Sequence, residues 1–243
     1  MARFYLFAMP NPYFQFKQFT VWHDKCAMKV GTDGVLLGAW TKIFNAESVL
    51  DIGTGTGLVS LMIAQRCMAN ILAIEIDKNT ANQAKDNIDH SPWKDRILVC
   101  HTDFKTFSCN KKFDLIVSNP PYFSDSLLPP DTKRSTARHT NELSYYELIE
   151  GASKLLMPKV EFSLIVPADN FDKIKEIAAL FNLYPIRQTQ ILPKPDSAPK
   201  RTLAAFSFSK TNSPETNELI VELSRHQYSE EYISLTKEYY LNM

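Results

Sequence analysis

No excess of charge draws this chain toward a polyanion or an anionic membrane: 27 Lys and Arg side chains stand against 27 Asp and Glu. Any contact with nucleic acid must therefore come from a local patch. Cysteine is scarce. Cys26, Cys67, Cys100 and Cys109 stand far apart without a Cys-x-x-Cys pair, which argues against a zinc ribbon or a disulfide scaffold and leads us to expect reduced, buried thiols. No run of about 18 apolar residues is present to span a bilayer. The stretch 1–9 is too short for the apolar region and cleavage site of a secretory signal. Internal repeats and low-complexity tracts are missing too. The expectation is a soluble, cytoplasmic protein with no membrane and no metal among its partners.

What is there is a chain of 243 residues, 44% of them hydrophobic, long enough for one well-filled core and short for two full domains. From residue 48 onward, short β-rich runs alternate with longer helical ones, the pattern of a parallel sheet with crossover helices. It predicts strands over 48–51, 70–75, 96–100, 113–118, 161–166, 184–191 and 202–208, and helices over 58–67, 79–88, 144–156 and 170–181. The fold class is thus α/β, a Rossmann-like, doubly wound, mostly parallel sheet of seven strands. Between the last two strands lie only Pro193, Pro195 and Pro199 and no helix, so those strands are expected to pair antiparallel as a hairpin at one sheet edge. An antiparallel last strand separates the class I methyltransferase variant of this architecture from the all-parallel dehydrogenase one. The chain 1–243 reads as a single domain, with a covering segment 1–44, a core 45–210 and a tail 211–243 packed on it.

The first core strand runs straight into Gly53-Thr54-Gly55-Thr56-Gly57 and then a helix. Such a turn alone is weak, because dinucleotide-binding folds hold pyrophosphate on a similar one. Here Asp51 precedes it, an acid that repels pyrophosphate and can engage the ammonium of a methionine moiety directly or through water. That favours S-adenosylmethionine, with Gly53, Gly55 and Gly57 letting it approach the main chain. Glu75 ends the second strand, about 20 residues past the turn, where an acid can accept both ribose hydroxyls. Asp77 competes for that role but reads better as a helix cap. Asp103 follows the third strand and is placed to accept the adenine amino group of the cofactor.

Asn119-Pro120-Pro121-Tyr122 follows the fourth strand. Asn-Pro begins many turns, but here the chemistry adds weight. An exocyclic amine conjugated to an aromatic ring is a poor nucleophile until its lone pair is localised. The Asn119 side-chain oxygen and the Pro120 carbonyl can accept its two N–H groups, and Pro120 brings no competing donor. Tyr122 can stack on the ring and fix in-line geometry, with Phe123 either assisting or packing in the core. The transferred proton becomes acidic only after methylation, so neither Asp125 nor His139 is needed as a strong base.

With its D-x-G-x-G-x-G turn and Asn119-Pro120-Pro121-Tyr122, the sequence resembles the amino-group methyltransferases. The segment 14–40, the stretch Asn87-Ile88-Asp89-His90-Ser91-Pro92-Trp93 and the tail Tyr228-Ser229-Glu230-Glu231-Tyr232 with Leu235-Thr236 make it similar, over nearly the whole chain, to the bacterial enzymes that N6-methylate adenine 37 of valine tRNA. The resemblance implies that the segment 29–34 lies over the cofactor with Thr32 near its methionine end. From the residues alone, Gly31-Thr32-Asp33-Gly34 is a turn into a helix with Asp33 as its cap. The region 124–138 matches less well.

A tRNA partner needs positive charge near the site. Lys133, Arg134, Arg138 and His139 follow the motif, and Arg187, Lys194, Lys200 and Arg201 bracket the proline-rich hairpin; each alone also reads as ordinary solvated charge. A purine beside an anticodon would have to be flipped into the Tyr122 pocket. A monomer is expected. One rival keeps the chemistry and changes the substrate to a glutamine amide in a release factor, but such enzymes carry a helical domain before the cofactor turn, and about fifty residues precede Asp51 here. A nicotinamide-dependent oxidoreductase has no use for Asn119-Pro120-Pro121-Tyr122. An inactive RNA-binding module would have no need of the intact Asp51, Glu75, Asp103, Asn119 and Tyr122.

Overall fold

The structure is a computed structural model that describes residues 11–26, 29–121 and 143–242. A short hairpin, β1 (Tyr13–Gln15) and β2 (Thr20–Trp22), leads to helix α1 (Thr32–Trp40). Next come β3 (Ser48–Ile52), α2 (Leu58–Ala64), β4 (Asn70–Glu75), α3 (Lys78–Asp89), β5 (Ile97–His101) and β6 (Phe113–Ser118). They are followed by α4 (Tyr145–Leu155), β7 (Leu156–Pro167), α5 (Phe171–Leu180), β8 (Tyr184–Leu192) and β9 (Arg201–Ser207). The tail adds β10 (Glu215–Ile220), the small pair β11 (Glu222–Ser224) and β12 (Gln227–Tyr228), and α6 (Glu230–Thr236).

Eight strands form the central sheet in the order β10-β8-β9-β7-β6-β3-β4-β5. Neighbours run parallel except around β9, which is antiparallel to both β7 and β8. The seven expected strands are all present, and β8 and β9 pair antiparallel as the proline-rich connection implied. Their place differs from the expectation: β9 inserts between β7 and β8, and β10, read from sequence as tail, supplies an eighth strand at the edge. Its first four residues are exposed and only Leu219 is buried. An edge strand with a solvated face carries no apolar alternation to reveal it.

Val49 and Leu50 are both completely buried although consecutive strand residues face opposite sides. That is possible only where helices cover both faces. Val49 packs with Val35, Leu36, Leu61 and Met62 of α1 and α2, and Leu50 with Leu148, Ile149 and Ile174 of α4 and α5. Asp77 caps α3 as expected, its Oδ1 accepting from Thr80 N at 2.8 Å. A reciprocal capping box between Ser144 and Glu147 starts α4. That helix ends at Leu155 because Pro158 disfavours helical backbone at Met157, and β7 begins at the next residue, earlier than the pattern predicted. The four cysteines are free, and each is half-buried rather than fully buried.

Candidate active site

The central strands bring the sequence-singled residues to one edge. Ile52 of β3 pairs with Ser118 of β6 on one side and Ile74 of β4 on the other, and Glu75 pairs with His101 of β5. Asn119, the glycine turn, Glu75 and Asp103 therefore follow four adjacent strands at their carboxyl ends, across about 14 Å at the usual strand spacing. In open α/β sheets that edge is where ligands bind.

The turn after β3 needs its glycines. Gly53, Gly55 and Gly57 have φ of 71°, 58° and 83°, the left-handed region that only glycine enters without strain. A Cβ built on Gly53 or Gly55 would meet nothing within 4 Å. The main chain there faces open space, so a ligand can lie directly against it. From the other side Gly53 N and Thr54 N both donate to Ile74 O at 2.9 Å.

Asp51 sits beneath this turn, 1% exposed. Its Oδ2 accepts from Thr54 Oγ1 at 2.7 Å and from Ser60 Oγ at 2.6 Å. Burial pushes the carboxyl up to about 6, against the pull of those two hydroxyls. In the structure this acid, which the sequence assigned to an ammonium, fastens the turn to the start of α2. Glu75 reaches across as well. Its Oε2 accepts from Gly55 N at 3.0 Å, and its Oε1 from Ile76 N at 2.9 Å and Asp77 N at 3.0 Å. Asp103 Oδ1 accepts from Lys105 N at 2.9 Å, and its side chain is about a third exposed.

Helix α1 closes the near side. A Cβ on Gly34 would stand 3.0 Å from Leu58 Cδ2, a tight approach, and 3.9 Å from Asn119 Nδ2, an ordinary contact; α1 thus packs closely on α2 and lies beside the Asn119 side chain. Thr32, exposed, opens this helix. Asp33 does not cap it: Gly31 is the N-cap without a side-chain bond, and Asp33 Oδ2 instead accepts from Arg201 Nε at 2.8 Å. Ser118 Oγ donates to Ile52 O at 2.8 Å, tying the strand before Asn119 to the strand before the turn. Pro120 is buried.

The sequence pattern of the methyltransferase small domain family matches residues 28–177. A tRNA1(Val) (adenine(37)-N6)-methyltransferase from Bacteroides fragilis is 57% identical over 239 residues, covering 97% of this chain and 100% of that one. The chain belongs to this methyltransferase family. Among solved structures, a predicted O-methyltransferase from Agrobacterium tumefaciens superposes with a TM-score of 0.65 at 20% identity, covering 87% of this chain and 100% of that one. A glycopeptide N-methyltransferase complexed with S-adenosyl-L-methionine superposes with a TM-score of 0.54 at 13% identity, covering 74% and 99%. These likenesses speak for the fold, which is that of the class I methyltransferases.

For this methyltransferase some assignments made from sequence lie outside the described residues: Tyr122, Phe123, Lys133, Arg134, Arg138 and His139. One is corrected. Arg187, grouped with the positive charges for RNA, is 4% exposed. Its NH2 donates to Glu161 Oε1 at 2.9 Å, and its guanidinium stacks on Trp40 at 3.5 Å from the ring centre. It is a core ion pair because Trp40 at the end of α1 covers this face of β8. Arg201 is engaged by Asp33, whereas Lys194 and Lys200 are exposed. Sequence reasoning missed Ser60 and Thr54 as the partners of Asp51. It gave Asn87 no role, although a polar residue beside Ala84 and Ile88 on a packed helix face was a readable signal.

Among the described residues no helix is long and apolar enough to cross a membrane. In the same residues no group of three or more His, Cys, Asp or Glu is placed to hold a metal ion.

Proposed function

We propose that this protein transfers a methyl group from S-adenosylmethionine to N6 of adenine 37 in valine tRNA, the reaction for which its 57% identical relative is named. The observation that carries the reading is the placement of Asn119 beside the open glycine turn, just past the end of β6, the strand next to β3. Those glycines, with Glu75 at the end of β4 and Asp103 just past β5, fit the cofactor: open space against the main chain at the turn, then two acids for the hydroxyls and amine of a nucleoside. A carboxylate has about four acceptor positions, and Glu75 uses three of them on backbone N–H groups. Holding two ribose hydroxyls there releases at least one of those contacts.

When bound, S-adenosylmethionine supplies an electrophilic methyl carbon on a sulfonium. Asn119 Oδ1 and the Pro120 carbonyl accept the two N–H groups of the target amine and turn its lone pair toward that carbon. Tyr122 stacks on the flipped base, and Phe123 borders it. Thr32 lies toward the methionine end, and Lys133, Arg134 and Arg138 meet the phosphates of the anticodon loop. The chain works as a single-domain monomer in the cytoplasm.

The test is transfer of labelled methyl from S-adenosylmethionine to a valine tRNA transcript and to the same transcript with guanine at position 37, followed by nucleoside digestion and mass spectrometry. The reading expects N6-methyladenosine from the first transcript alone. Equal labelling of both moves the site, and labelling of release factor in place of RNA replaces the substrate.

A further inference from the structure

Helix α3 turns one polar stripe toward the N-terminal segment. Asn87, Gln83 and Thr80 lie four and then three residues apart, on one side of the helix. Asn87 is 1% exposed, and its amide is fully engaged: Oδ1 accepts from Trp22 N at 2.9 Å, while Nδ2 donates to Trp22 O and to Thr56 O, both at 2.9 Å. One turn back, Gln83 Oε1 accepts from Lys25 N at 3.1 Å. Next along the stripe, Cys26 stands near the Thr80 side chain and the charge of Glu75, with burial pushing its thiol up. The segment 22–26 thus follows α3 from the glycine turn toward Glu75.

The same helix already packs against the turn, since a Cβ on Gly57 would stand 3.4 Å from Ile88 and 3.6 Å from Ala84. What packing does not explain is the amide. A leucine would fill the volume of Asn87 but leave Thr56 O and both backbone groups of Trp22 without these partners. One side chain therefore holds the carbonyl of the glycine turn and both main-chain groups of a covering residue in a single register.

We propose that Asn87 is a positioning residue of the cofactor site, coupling the covering segment to the glycine turn so that the two close on a bound nucleoside together. This rests on the reading of the turn as an S-adenosylmethionine site. Asn87 itself touches no reacting atom; it acts through Thr56 and Trp22.

The experiment compares the full-length protein with Asn87→Asp, which replaces both donors by a carboxylate oxygen facing two carbonyls, and with Asn87→Ser should the first variant fail to fold. S-adenosylmethionine affinity is read by calorimetry, and hydrogen exchange is followed in the peptide covering 18–26. In the parent, S-adenosylmethionine slows exchange of the Trp22 and Lys25 amides. In a folded variant, affinity falls about tenfold or more and that slowing disappears, while kcat at saturating cofactor changes less than KM. A folded variant with a lower melting temperature but parental affinity and parental slowing makes Asn87 merely structural and overturns the proposal. Absence of S-adenosylmethionine binding by the parent overturns instead the cofactor reading on which the proposal stands.

Discussion

Ser60 donates its hydroxyl to Asp51 Oδ2 at 2.6 Å from the far side of the glycine turn, so the first turn of α2 and the end of β3 share one buried acid. Burial holds that acid near 6, above its ordinary 3.8. A carboxyl whose folded pKa is raised binds its proton more tightly in the folded state. Its contribution to stability is full below about 3.8 and is lost as pH rises through about 6. The loss is on the order of 3 kcal/mol. Asp51→Asn removes the titration and keeps an oxygen for the two hydroxyls. Denaturant unfolding between pH 4 and 7.5 should show the parent losing stability relative to the variant as pH rises. Parallel curves would mean that Asp51 does not titrate in this window.

Gly55 combines a φ of 58° with open space where its Cβ would stand. Gly55→Ala should cost about 1–2 kcal/mol of stability through the left-handed backbone. It should also weaken S-adenosylmethionine binding, because the added methyl fills room the ligand needs. Melting temperature and calorimetric affinity read the two effects separately. Unchanged affinity in the folded variant would put the cofactor elsewhere.

Arg187 and Glu161 form an ion pair in which both side chains are about 5% exposed. Removing one partner from such a pair leaves a buried charge and typically costs roughly 3–5 kcal/mol. Arg187→Ala should therefore unfold at markedly lower denaturant, while the protein that remains folded keeps the parental KM for tRNA. A raised KM with unchanged stability would return Arg187 to the RNA surface.

The parts legible in the sequence are those set by periodicity and turn chemistry. Core strands buried on both faces read as apolar runs, Asp77 read as a cap, and the glycine turn and Asn119 emerged at strand ends. Strand β10 stayed hidden because its outer residues are polar, and Arg187 looked like a surface charge because nothing local shows that Glu161 will face it from a strand 26 residues earlier. The fastening of Asp51 to Ser60 was hidden in the same way, since Ser60 reads as one residue among others in an apolar helix. What a sequence withholds here is the identity of buried polar partners, which depends on how distant elements meet.

The most direct measurement for the central claim is the single-turnover rate of methyl transfer to valine tRNA, with cofactor and RNA both saturating, for the parent and for Asn119→Ala. The account predicts a rate lower by about a hundredfold or more, with S-adenosylmethionine affinity nearly unchanged, because Asn119 acts on the target amine rather than on the cofactor. A variant that methylates adenine at the parental rate would contradict it.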